Sequence, residues 1–126
     1  MLGDYPIHPV LLAKDLAAVR AFYHDQLGLE ILDENADALV LRCGGGTQVS
    51  VTKSSTGTAD SQTQASWMVA DVRAEVAALR SGGVHVEDYD MPGLKTEDGI
   101  ADLGFAWAAW IVDPGGNALG ILQLKT

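Results

Sequence analysis

The chain has 126 residues, of which 48% are hydrophobic, and its formal net charge is −9 at pH 7. These values are typical of one compact domain with an apolar core, and no apolar run is long enough to span a bilayer. The negative charge argues against a nucleic-acid partner, whose phosphates would be repelled. The single cysteine, Cys43, excludes an internal disulfide. Because no signal peptide is visible either, we expect a cytoplasmic protein.

The first half of the sequence predicts a strand, a helix and three further strands. An apolar run over residues 10–13 is expected to form a strand that is buried on both faces. Asp15 then stands where a helix N-cap belongs, and the helical pattern that follows ends at Gly28. Further strands are predicted over residues 30–32, 38–41 and 48–52, with a tight glycine turn at residues 44–46.

The second half repeats the strand and the helix after a polar linker. The strand is predicted over residues 67–70, with Asp71 as the N-cap of the helix and Gly82 at its end. Beyond the helix, the sequence predicts strands and loops in this order: a strand over 84–86, a long loop over 87–104, a strand over 105–112, a turn over 113–117 and a strand over 118–124.

Both halves therefore share one layout of apolar strand, Asp, amphipathic helix and Gly. The repeat predicts an α+β fold of two tandem βαβββ modules within a single domain, residues 1–126. The first module is expected over residues 5–53, the linker over 54–64 and the second module over 65–126. A ligand cleft is expected where the two modules meet.

Two short motifs carry a family resemblance. Phe22-Tyr23 with Leu27-Gly28-Leu29, followed by Asp113-Pro114-Gly115-Gly116-Asn117, resembles the glyoxalase/bleomycin-resistance/dioxygenase family, also called vicinal oxygen chelate proteins. The resemblance covers nearly the whole chain. It implies a cupped, incomplete barrel made of the two modules, a ligand held in the cup, and a homodimer.

The same resemblance implies where a metal would be held. In metal-dependent members, four positions that face the cup supply the ligands, and these map onto His8, Ser50, Ala65 and Gly120. A neutral Ser is a poor metal ligand, and Ala and Gly have no donor atom. The last strand offers no replacement, because residues 118–126 contain no acid. We therefore expect no metal and no cofactor, and we assign no catalytic residue.

Strand alternation predicts an apolar cup with a few polar groups. Trp107 and Trp110 must point to opposite faces of their strand, and Trp107 is assigned to the cup. The loop over residues 87–104 is expected at the rim, where its acids would favour a cationic ligand. The predicted ligand-binding residues are His8, Val10, Leu12, Gln48, Ser50, Trp67, Val69, Tyr89, Met91, Leu94, Trp107 and Leu122.

This lining predicts a metal-free protein that binds and sequesters an aromatic or apolar antibiotic or a similar natural product, as the family's bleomycin-resistance branch implies. Two alternatives stay open. One is a glyoxalase-type lyase, isomerase or dioxygenase with an atypical or metal-independent site, and the other is a carrier of a biosynthetic intermediate. His8 could accordingly be a general base, a hydrogen-bonding contact to the ligand, or a histidine satisfied within the fold.

Overall fold

The structure, a computed structural model, describes residues 1–125. It consists of two open sheets, and one helix packs on each of them. Thr126, the last residue of the predicted second module, lies outside the described residues. The predicted α+β fold class is confirmed. Within residues 1–125, no helix is long and apolar enough to cross a membrane.

The first half of the chain forms a four-stranded sheet in the order β1-β4-β3-β2. Strand β1 pairs parallel with β4, and the other neighbours pair antiparallel. The elements are β1 (Val10–Ala13), α1 (Leu16–Arg20), a π-helical continuation (Ala21–Gln26), β2 (Glu30–Glu34), β3 (Ala38–Arg42) and β4 (Gln48–Lys53), with 3₁₀ turns at Leu2–Asp4 and Gly44–Gly46.

The second half forms a six-stranded sheet in the order β5-β10-β9-β8-β7-β6. Strand β5 pairs parallel with β10, and the other neighbours pair antiparallel. The elements are β5 (Thr63–Met68), α2 (Val72–Ser81), β6 (Asp90–Met91), β7 (Leu94–Glu97), β8 (Ile100–Asp102), β9 (Ala106–Val112) and β10 (Ala118–Leu124).

The predicted N-caps are confirmed in both helices. The carboxylates of Asp15 and Asp71 each accept hydrogen bonds from the backbone N–H groups of the second and third residues of the helix that follows. Gly28 has a φ of +76° just after the first helix ends, a left-handed conformation that glycine adopts without strain.

Three predictions about the second half are wrong. The region predicted as a loop over residues 87–104 contains β6, β7 and β8, which turn at Gly93 and Gly99, both with positive φ. Strand β5 begins at Thr63, inside the predicted linker, and ends at Met68. Residues 84–86 are not a regular strand, although the backbone N–H of Glu87 donates to Trp110 O (2.9 Å), so this segment runs beside β9.

Each sheet has a face that packs on its helix, and these two faces form one core. The opposite face of each sheet, called here the distal face, is turned away from the helices. On the first sheet, Leu11 and Ala13 are buried in the core, whereas Val10 and Leu12 lie on the distal face and are 61% and 40% exposed. The prediction that this strand is buried on both faces is therefore wrong, because nothing within residues 1–125 covers its distal side.

A buried hydrogen-bond network around Asp113 joins the two halves. The Tyr23 hydroxyl of the first half donates to Asp113 Oδ2 (2.5 Å). The carboxylate also accepts from the backbone N–H of Gly115 and from Asn117. Asn117 Nδ2 in turn donates to the backbone carbonyl of Leu12 at the end of β1 (2.9 Å). The turn between β9 and β10 is thus bonded to both the π-helical continuation of α1 and β1.

The Tyr23→Phe variant tests this link. We expect its free energy of unfolding to be about 2 kcal/mol lower than that of the wild type, because a buried carboxylate loses one hydrogen-bond donor. Tyr89→Phe is the matched control, since Tyr89 is only half-buried; its change should stay within about 0.5 kcal/mol. Chemical denaturation measures both values, and equal losses in the two variants would contradict the assignment.

The same pair of variants gives a pH test. Burial, and then the charge of Asp113, raise the pKa of the Tyr23 hydroxyl above its ordinary value. Folding therefore favours the protonated phenol, and this stability is present below about pH 10 and is lost as the pH rises further. Between pH 9 and 11, wild-type stability should fall more steeply than that of Tyr23→Phe. Parallel curves would contradict this.

Candidate functional site

A cavity of about 190 Å³ lies between the two halves of the chain. Its lining comes from β1 and the segment leading into it, from the π-helical continuation of α1, from β4 and the glycine turn before it, and from β5 and β10. The lining residues that carry polar side-chain atoms include His8, Tyr23, Thr47, Gln48 and Ser66, and the apolar ones include Leu11, Val49 and Leu119, with Trp67 beside them. Apolar walls with a few directional groups are the usual composition of a small-molecule pocket.

His8, a residue of this lining, has an unsatisfied polar atom. Its Nδ1 atom is buried and has no hydrogen-bond partner within residues 1–125. Buried polar side-chain atoms are hydrogen-bonded in the great majority of cases, so each exception needs an explanation. A partner supplied by a bound molecule is one such explanation.

The cavity reaches from the distal faces inward to the core. Gln48 and Ser50 lie on the distal face of the first sheet, and Ser66 lies on that of the second, as their strand register shows. By contrast, Leu11 and Leu119, deeper in the lining, belong to the core. A ligand could therefore enter from the distal side and place its apolar part inside.

A second cavity of about 190 Å³ lies on the helix side of β5. Its lining side chains are aliphatic apart from those of Trp67 and Glu75. The lining consists of Leu27, Leu29, Trp67, Val69, Glu75, Leu79, Ile111 and Ile121. Trp67 is the residue that this cavity shares with the first one.

The structure brings some of the predicted site residues together and separates others. His8, Gln48 and Trp67 line the first cavity, and Trp67 and Val69 line the second. The remaining predicted residues of the first sheet, Val10, Leu12 and Ser50, share its distal face. Leu122 lies on the distal face of the second sheet, beside Gly120.

The assignment of Trp107 to the cup is wrong. On β9, Trp110 pairs with Gly120 and therefore lies on the distal face, so Trp107 faces the helix side. There Lys125 Nζ lies 4.0 Å from the centroid of the Trp107 ring. Trp110 Nε1 instead donates a hydrogen bond to Thr63 Oγ1 (3.1 Å).

The structure also has a different residue of β5 at the position that was predicted to face the cup. Ser66, not Ala65, is the residue opposite Gly120, and a Cβ atom on Gly120 would lie 2.9 Å from Ser66 Oγ. Ala65, Trp67 and Val69 pack against the core instead. The reason is hydrophobic: these three form the more apolar set on the strand, and the more apolar set of a half-buried strand faces the core.

The residues predicted at the rim lie in the second sheet or, for Tyr89, just before its strand β6. Tyr89 packs edge-on against Trp110, with the ring centroids 5.5 Å apart. Burial, and to a smaller extent the charge of Glu87, raise the pKa of the Tyr89 hydroxyl. Met91 and Leu94 pair with each other in the hairpin of β6 and β7. None of these three predicted residues lines either cavity.

The residues at the implied metal positions do not fit a metal ion. His8 is the one good donor among them, Ser50 is a weak one, and Gly120 has no side chain. Ala65 has no donor atom. If Ser66 is considered as the ligand from β5 in its place, it offers only another neutral hydroxyl. Within residues 1–125, no three His, Cys, Asp or Glu side chains are close enough together to hold a metal ion.

Sequence reasoning missed several residues of the first cavity. Tyr23 belongs to the first motif of the family resemblance, but nothing in the sequence indicates that it lines a cavity. In the structure it is buried in the core and also lines the cavity. Cys43 and Thr47 flank the glycine turn, and their place beside His8 depends on how the two halves pack. The alternation of apolar residues along β5 could have identified Ser66 as a distal-face residue.

Comparison with known proteins gives the following matches. A family model described as the Glyoxalase/Bleomycin resistance protein/Dioxygenase superfamily matches residues 6–121. A glyoxalase/bleomycin resistance protein/dioxygenase from Alicyclobacillus acidocaldarius has a similar structure, with a TM-score of 0.72 at 16% identity over 98% of this chain and 93% of that chain. A search of curated protein sequences finds no match.

Two further solved structures are similar in fold. A bleomycin resistance determinant encoded on the transposon Tn5 has a TM-score of 0.69 at 21% identity, over 97% of this chain and 99% of that chain. A bleomycin-binding protein complexed with bleomycin has a TM-score of 0.70 at 19% identity, over 96% of this chain and 99% of that chain. At these identities the likeness concerns the fold.

The residues at the four implied metal positions predict that the purified protein holds no stoichiometric metal ion. Protein purified without chelator from cells supplied with iron, zinc, nickel and manganese should contain each metal at far less than one ion per chain, because one histidine cannot hold a metal alone. Elemental analysis by mass spectrometry measures this. A near-stoichiometric metal that is absent from the His8→Ala variant would show that the ligand assignment is wrong.

Proposed function

The chain belongs to the glyoxalase/bleomycin resistance protein/dioxygenase superfamily, and we propose that it binds a small organic molecule in the first cavity without a metal ion. Because one fold can serve many functions, the proposal rests on the site and not on the family. The main support for the proposal is a cavity that is lined by His8, Gln48 and Trp67. The Nδ1 atom of His8 is buried and has no hydrogen-bond partner within residues 1–125.

In this proposal, the polar end of the ligand contacts His8. An unsatisfied buried polar atom costs roughly 1–3 kcal/mol, and a ligand that pairs with it recovers part of that cost. Because Nδ1 donates in one imidazole tautomer and accepts in the other, a hydroxyl group suits both. The amide of Gln48 and the hydroxyls of Thr47 and Ser66 line the same cavity and add directional contacts.

The size of the cavity favours a ligand with one aromatic ring. Its volume of about 190 Å³ lies below the usual range of roughly 300–1,000 Å³ for drug-sized ligands. An apolar cavity of roughly 150 Å³ in another protein accommodates benzene. Packing of the ring on Trp67 would add about 1 kcal/mol beyond the burial of apolar area.

The proposed biological role is sequestration of an aromatic antibiotic or a related natural product in the cytoplasm. Binding alone lowers the free concentration of such a compound, so no catalytic residue is required. The fold shared with a bleomycin-binding protein supports this role by analogy. A single domain made of two modules is also part of the proposal, since both halves of the chain line the cavity.

A homodimer is part of the same proposal. Val10, Leu12 and Met68 lie on the distal faces and are strongly exposed, Met68 to 62%. Apolar side chains grouped on one surface usually mark an interaction site. A second copy of the chain would cover them, as closed two-fold symmetry is the commonest arrangement of soluble oligomers.

The ligand proposal is tested with phenol, which has one ring and one hydroxyl. Isothermal titration calorimetry should show binding to the wild type and roughly fivefold or greater weakening in His8→Ala, because one hydrogen bond is lost. His85→Ala is the matched control, since that histidine is exposed and lines neither cavity. Equal affinities in all three proteins would refute the assignment.

The dimer is tested by sedimentation velocity. The wild type should sediment at twice the chain mass of 13.3 kDa, and Met68→Asp should shift it towards the monomer because a charge would be buried at the interface. Ala77→Asp adds the same charge on an exposed position of α2 and should leave the mass unchanged. A monomeric wild type would contradict this part of the proposal.

A further inference from the structure

The two cavities share a lining residue. Trp67 lines both of them, and no other residue within 1–125 does so. Each cavity has a volume of about 190 Å³, below the usual size of a ligand pocket. A space that joined the two at Trp67 would be about twice as large and would fall within the usual range.

The two spaces differ in chemistry. The first contains the unpaired His8 Nδ1 atom and the amide of Gln48. The second has walls of aliphatic side chains from both halves of the chain, among them Leu29 and Leu79. A molecule that occupied both would therefore be polar at one end and apolar at the other.

The Trp67 side chain is held by packing alone. No hydrogen bond from its indole nitrogen is found within residues 1–125, whereas the nitrogen of Trp110 donates to Thr63. Trp67 is also only partly buried, at the margin of the core. The absence of a hydrogen bond, together with the two cavities that the residue lines, permits a second rotamer.

We propose that the apolar cavity is a second compartment of the ligand site, that the Trp67 indole closes it, and that Trp67 thereby sets the size of ligand accepted. This inference rests on the proposed function of the first cavity. The occupant is the apolar substituent, a second ring or a short alkyl chain, of the same molecule whose polar end pairs with His8. The lining residue that the two spaces share supports this occupant.

Two probes of different length test the proposal by titration calorimetry: phenol, which fits the first cavity, and 4-phenylphenol, which needs both. In Trp67→Ala, the affinity for 4-phenylphenol relative to phenol should rise at least tenfold, because the closing side chain is gone. Trp107→Ala is the matched control, since Trp107 lines neither cavity, and it should leave the ratio unchanged.

A second variant closes the compartment instead of opening it. Leu29→Phe adds bulk to the wall of the second cavity and should weaken binding of 4-phenylphenol at least fivefold while leaving phenol unaffected. It also serves as the test if Trp67→Ala does not fold. If phenol binds and neither variant changes the ratio, the second compartment is refuted and the proposed function stands. If the wild type does not bind phenol, both are refuted.

Discussion

The carboxylate of Asp113 is the group on which the arrangement of the two halves depends. It is 4% exposed and is surrounded by donors from its own turn and from the Tyr23 hydroxyl. In a low-dielectric interior, such a network is strong when complete and costly when a member is missing. The turn can approach β1 only because residue 115 is glycine: a Cβ atom there would lie 2.4 Å from the carbonyl oxygen of Leu12.

The cavity lies beside the start of β1. The network and the core fix the two sheets where β1 ends, while the segment that enters β1 carries His8 past β5 without a backbone pairing between the two strands. The gap is lined by Trp67 on one side and by Gln48 on the other. Tyr23 belongs both to the network and to the cavity wall, so the element that joins the halves also shapes the site.

The sequence predicted the parts whose signals are local. Asp15 and Asp71 were identified as N-caps, and the strands of the first half were predicted to within two residues. The strands within residues 87–104 were missed, because short strands separated by glycines resemble a loop in sequence. Ala65 was assigned to the cup from the family resemblance alone. The alternation of apolar and polar residues along the strand predicts the opposite, and the structure has Ser66 on the distal face. The packing between halves, and hence the shared role of Trp67, depends on contacts that no local pattern encodes.

The most direct test of the account is a crystal structure of the protein soaked with 4-bromophenol, in which the bromine atom marks the ligand by anomalous scattering. The account predicts one strong bromine peak in the space bounded by Trp67, with the phenol oxygen within hydrogen-bonding distance of His8 Nδ1. A cavity that stays empty while bromine peaks are found only on the distal faces would contradict the central claim that this cavity is the ligand site.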